Sequence, residues 1–180
     1  MAINWANFEN EITDFLISKN STDIEETAQF FTDTYIESIR TGRDPAGNIV
    51  LVDSKNPDII KQGWIKALTA CLKSPVNLGA VPWVFVSEAL IEYWTLMPAT
   101  FLMPYAPAVT GTLNGIVFPG NVVSVTPGIH NALNAGNETK VASELTETFR
   151  NHTKSLGGTF VGLTASTPPA PVVKPWKGIR

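Results

Sequence analysis

Between Lys73 and Glu138 the only carboxylates or amines are Glu88 and Glu92, set among aromatics, aliphatics, prolines and glycines. Water solvates such a segment poorly, so the folded chain must cover it. A chain of 180 residues builds one domain with a modest core, or one domain carrying an arm, but hardly two full domains. The core of one such domain is too small to take in the whole segment, so part of the apolar surface is expected to meet other chains.

Charge narrows the partners. The 13 Lys and Arg stand against 16 Asp and Glu, for a net charge of −3, and the cations form no run. Nucleic-acid binding, which rests on clustered Lys and Arg releasing counterions, is therefore not expected. The signs are unevenly spread: nine acids precede residue 45 against Lys19, Arg40 and Arg43, whereas Arg150, Lys154, Lys174, Lys177 and Arg180 follow Glu147 with no acid among them. Like subunits carrying such a head and tail can dock head to tail, although scattered solvated charges give the same count. Cys71 is the only cysteine, which leaves out an internal disulfide framework and a cysteine-based zinc cage, and its place in an apolar helical pattern reads as core packing. Asn4, Asn7, Glu9 and Glu11 stand where a secretory signal carries a basic stretch and an apolar run, so synthesis in a cytosol is expected.

Hydrophobic spacing gives the elements. Trp5, Phe8, Ile12, Phe15 and Leu16 share one face of a first helix that ends near 18–20. Thr22 and Glu25 have capping-box spacing before the stripe Ile24, Ala28, Phe31, Tyr35 and Ile39, and Gly42 offers a left-handed stop. The β-branched run at 49–52 reads as a short strand or an extended connector. Asn56 and Pro57 open a third helix with Ile60, Trp64, Leu68, Cys71 and Leu72 inward and Gly63 placed for a close crossing. A fourth runs from Trp83 to Met97 between two prolines, and a last one begins near Asn137 with Val141, Leu145, Phe149, His152 and Leu156 on one face before Gly157 and Gly158.

The stretch 98–128 is too rich in Pro and Gly for a long helix and reads as a hairpin about Pro119 and Gly120, pairing 116–118 with 121–125, or as an apolar loop. Residues 159–163 are β-prone, and the Pro-rich run from Thr167 reads as a polyproline-like arm too poor in donors for a central strand. The expectation is a mainly α fold of about five helices, with a small β-hairpin or extended loops and an extended Pro-rich C-terminal arm. In domain terms, 1–158 is a helical domain with a Gly/Pro-rich insertion at 98–128, and 159–180 is the arm.

Chemistry is sparse. Glu88 and Glu92 lie one turn apart in apolar surroundings, as a carboxylate pair for acid catalysis would, but Ile91 and Thr95 occupy the positions where a bundle di-metal site places histidine. Neither His130 nor His152 has ligand spacing, and the chain has no nucleophile elbow, phosphate-cradling loop or dinucleotide fingerprint. The expectation is no enzyme, with no catalytic, cofactor-binding or metal residues, no small-molecule substrate and no membrane partner. A hydrolase using Glu88 and Glu92, and a membrane-active protein using 81–103, are the alternatives; Pro82 and Pro98 bracket a helix of about fifteen residues, short of the roughly twenty a span needs.

Asn4-Trp5-Ala-Asn-Phe-Glu at the start, Ser21-Thr-Asp-Ile, the Gly/Pro-rich apolar centre, and Gly157-Gly-Thr-Phe-Val-Gly-Leu followed by Thr167-Pro-Pro and Pro175-Trp-Lys-Gly together resemble small virion structural proteins of tailed bacteriophages. The resemblance is spread over the whole chain and rests on no single motif. It implies a non-enzymatic subunit in a neck, tail, baseplate or capsid, made in the host cytoplasm and bound to copies of itself and to other virion structural proteins. Independently of the resemblance, the apolar side chains themselves place the contacts at Phe101, Met103, Tyr105, Ile116 and Phe118 in the centre and at Val172, Val173, Trp176 and Ile179 on the arm, whose stiff backbone loses little entropy on docking.

Overall fold

The computed structural model describes residues 3–18, 23–43, 51–52, 56–74, 77–95, 101–105, 108–117 and 121–179, with the backbone alone at 51–52, 101–105, 108–117 and 121–124. Among these residues the chain is mainly helical. Helices α1 (Trp5–Ser18), α2 (Ile24–Thr41), α3 (Asp58–Lys73), α4 (Val84–Thr95), α5 (Asn121–Leu133) and α6 (Glu138–Ser155) accompany strands β1 (Leu51–Val52), β2 (Phe101–Tyr105), β3 (Ala108–Val117), β4 (Gly157–Thr164) and β5 (Pro171–Trp176).

The core is built from helical stripes and aromatic rings. On α1, Phe8, Ile12 and Phe15 are buried at the expected spacing, and Phe15 stacks on Phe30 of α2 with ring centroids 3.9 Å apart. Phe31 of α2 stacks on Trp64 of α3 at 4.6 Å, and Phe149 of α6 meets Phe8 edge-on at 5.8 Å. Gly63 is where α3 and α4 cross: a Cβ there would lie 2.5 Å from Ala89 Cβ and 2.8 Å from the Phe85 carbonyl oxygen.

Asp23 caps α2, its carboxylate accepting from the backbone N–H groups of Glu25 and Glu26, so the capping role falls one residue beyond Thr22, which lies outside the described residues. Gly42 ends the helix in an extended conformation, not a left-handed one. It is glycine because a Cβ would run into Ile179 Cγ2 and come within 2.7 Å of Ile3 Cγ1. Asn137 caps α6 as expected, accepting from the Lys140 N–H at 2.9 Å.

The centre departs from the sequence reading. Residues 121–125, expected to form a strand, open α5, which carries Pro127 in its interior and buries Val125, Ile129 and Ala132 at steps of four and three. A proline inside a helix costs about 3 kcal/mol, which the burial of that stripe offsets. Gly128 next to it is a close-approach position, since a Cβ there would lie 2.7 Å from Thr148 of α6. The hairpin of this region is β2–β3 instead, with a register shift at Pro104, whose nitrogen has no proton to give.

The strands form one antiparallel sheet in the order β1-β2-β3-β4-β5. It is larger than the small hairpin expected, because the C-terminal segment folds back on its own chain. Residues 157–164 pair with both β3 and β5, and Val172, Trp176 and Ile179 are buried in the core. Trp176 stacks on Trp94 of α4 with centroids 6.3 Å apart, and Ile179 N–H donates to the Thr153 carbonyl at 3.1 Å. Gly178 makes the turn between them with φ +72°, where a Cβ would lie 2.7 Å from the Thr153 carbonyl oxygen. The arm is thus part of the domain, and a boundary at residue 158 would cut through β4.

Candidate interaction surface

Strand alternation divides the β4–β5 hairpin into two faces. Phe160, Val172 and Trp176 point to the helices and are buried. Val161, Leu163 and Val173 point away and are 37%, 55% and 64% exposed. Val161 sits directly opposite Val173, Leu163 opposite Pro171, and Thr159 opposite Pro175. All six outward positions of the hairpin are therefore uncharged and five are apolar, whereas a sheet with one face in water ordinarily places polar side chains there.

The same prolines close the edge. β5 is the last strand of the sheet. In an antiparallel pair alternate residues bond to the neighbour, and Thr164 N–H donating to the Ala170 carbonyl at 2.9 Å sets the even-numbered residues of β5 toward β4. Residues 171, 173 and 175 then direct their backbone outward. Two of the three are prolines without an N–H, which leaves Val173 as the single outward donor along the strand. Strand addition at the β5 edge is disfavoured, so the hairpin offers its face more than its edge.

Charge is segregated around this surface. Lys154 and Lys177 are both exposed, one at the end of α6 and the other just past β5, where Ile179 N–H donates back to the Thr153 carbonyl. Glu9, Glu11 and Asp14 lie on α1, and Glu25, Glu26, Asp33 and Glu37 on α2. Ile17, 67% exposed, sits one turn beyond Asp14 on the same side of α1.

Glu88 and Glu92 are exposed on α4 and line a cleft of about 380 Å³ with Asp58 and Lys66 of α3 and Phe85. They stand as a solvated stripe, and no group of three or more His, Cys, Asp or Glu among the described residues is placed to hold a metal ion. Cys71 is exposed, not a core residue: α3 buries Ile60, Trp64 and Ala67, and its last turn, with Leu72 70% exposed, projects past the core. It lines a small hollow with Trp83, His130 and Asn134, and partial desolvation pushes its thiol up, away from what a nucleophile needs.

His152 lies in the core. Trp94 Nε1–H donates to Tyr35 Oη at 2.8 Å, and Tyr35 Oη lies 3.0 Å from His152 Nε2. A phenol that accepts from the indole has its own proton to give, which makes Nε2 an acceptor and the imidazole neutral. Burial pushes His152 down to about 3 and the Tyr35 phenol up. No helix among the described residues is long and apolar enough to cross a membrane.

Of the contact residues expected from sequence, Val173 is on the outward face, while Val172, Trp176 and Ile179 are corrected to core positions by their burial. Phe101, Met103 and Tyr105 fall on β2 and Ile116 on β3, as backbone positions only, and Phe118 lies outside the described residues. Sequence reasoning missed Val161, Leu163, Pro171 and Pro175 as surface partners of Val173. The signal was present: a β-prone run followed by prolines four residues apart places both on one side of a strand. Comparison with protein-family models, curated proteins and solved structures found no match.

Proposed function

We propose that this chain is a non-enzymatic structural subunit, present in many copies, whose outward β4–β5 face binds a neighbouring subunit, and that its setting is the virion of a tailed bacteriophage. The observation that carries the reading is the uncharged outward face, with Val161, Leu163 and Val173 exposed on it. An antiparallel sheet that is apolar on both sides is suited to being covered on both. The virion setting comes from the sequence resemblance.

Size sets the kind of assembly. Two strands of six to eight residues present on the order of a few hundred Å², worth several kcal/mol at about 25 cal/mol per Å² before ordering costs. A stable one-to-one complex ordinarily buries roughly 800 Å² per partner. A contact of this size is weak alone and becomes strong when repeated around a symmetric particle. Sedimentation velocity of the purified chain is expected to show mass rising with concentration, and quantitative mass spectrometry of purified particles of the parent phage is expected to find the chain in many copies. A compact monomer at all concentrations, or a chain absent from the particles, overturns the reading.

A further inference from the structure

We infer that the outward β4–β5 face docks head to tail on the acidic α1–α2 surface of a second copy of this chain, and not on its own counterpart. The inference rests on the assembly reading and names the partner surface. Charge complementarity decides between the two arrangements. From residue 148 to the end of the sequence there is no acidic side chain, and Lys154 and Lys177 stand exposed beside the hairpin. Two hairpins packed face to face offer these lysines no acidic partner, whereas the α1–α2 surface does, which favours the heterologous arrangement over the isologous one.

The α1–α2 surface has the opposite character. Its exposed positions include Asp14, Asp33 and Glu37, and nine acids precede residue 45 against three cations. Ile17 provides an apolar contact on that surface beside Asp14. Strand addition at the hairpin's own edge, β5, is disfavoured by Pro171 and Pro175. What remains is an apolar face with a basic flank meeting an acidic face with an apolar spot, a heterologous contact that propagates as a ring or a stack.

Two variants test it, each altering only exposed residues. In the tail variant Lys154→Glu and Lys177→Glu reverse the basic flank; in the head variant Asp14→Lys and Glu37→Lys reverse the acidic surface. Thermal melts confirm that each folds. Alone, each is expected to need on the order of tenfold higher concentration than wild type to assemble. Mixed, they are expected to regain assembly, because the intact acidic head of the tail variant meets the intact basic tail of the head variant, and the two reversed ends, an acidic tail and a basic head, are complementary as well. Raising salt from about 0.05 to about 0.5 M is expected to weaken wild-type assembly. A head variant that assembles like wild type overturns the inference and favours face-to-face docking. If both variants assemble like wild type while threonine at positions 161, 163 and 173 abolishes assembly, the docking partner is wrong and the assembly reading stands. If the threonine variant also assembles normally, both fall.

Discussion

At the scale of single residues the chain commits most to His152, whose neutral imidazole accepts a hydrogen bond from the Tyr35 hydroxyl in the core. Burial depresses its pKa to about 3, below the roughly 6.5 of an unfolded histidine. Between those values the unfolded chain binds a proton that the native chain refuses, so stability from this site is intact above about pH 6.5 and falls as the pH drops toward 3. A tenfold change in proton affinity corresponds to about 1.4 kcal/mol, which makes the loss across the window several kcal/mol. Denaturant unfolding of wild type and His152→Leu at about pH 7 and about pH 4.5 checks this. The variant is expected to be less stable at neutral pH by about 1–3 kcal/mol, because Tyr35 loses its acceptor, and to show a smaller drop on acidification. An equal drop in both proteins would place the acid sensitivity elsewhere. The helical period puts His152 on an inward face, but its partner on α2 lies 117 residues away, and no local pattern points to it. Cys71 departs from its expected place for the opposite reason: the period continues through Leu72, while the core it faces thins out at Leu68, which is only partly buried.

Among the elements, those with a strong hydrophobic period were legible. α1, α2 and α6 stand where the stripes through Phe8, Phe31 and Phe149 place them, and Gly63 makes the close crossing its position implied. The Pro/Gly-rich centre was not legible, because a proline does not by itself end an element: Pro104 falls within β2 and Pro127 within α5. Long-range packing settled both, and propensity is a weak guide where a buried stripe outweighs it. The prolines of β5 work as edge protection. Replacing Pro171 and Pro175 by threonine restores two outward N–H donors and is expected to give slow, salt-insensitive aggregation with increased thioflavin binding, while the wild type stays clear. A clear double variant over the same days would show that the edge is guarded by something else.

For the whole molecule, the helices whose burial is described within the uncharged stretch turn their apolar stripes into the chain's own core. Val86, Leu90, Tyr93 and Trp94 of α4 and the inner stripe of α5 lie in its own core. Among the residues whose burial is described, Val161, Leu163 and Val173 gather three exposed large hydrophobic side chains on the one hairpin face. The C-terminal segment changes role accordingly: deleting residues 165–180 removes Val172, Trp176 and Ile179 from the core, and is expected to unfold the domain or lower its melting temperature by more than about 10 °C, as losing one buried Trp alone costs about 3–5 kcal/mol. A truncated chain that melts like wild type would mean the hairpin adds little to the core. The claim that the outward face is the adhesive surface is tested most directly by sedimentation velocity of the Val161→Thr, Leu163→Thr, Val173→Thr protein beside wild type across a concentration series. Threonine keeps β propensity at each position while removing apolar contact. A folded variant that stays monomeric where wild type assembles is the result expected; a variant that assembles as wild type does contradicts it.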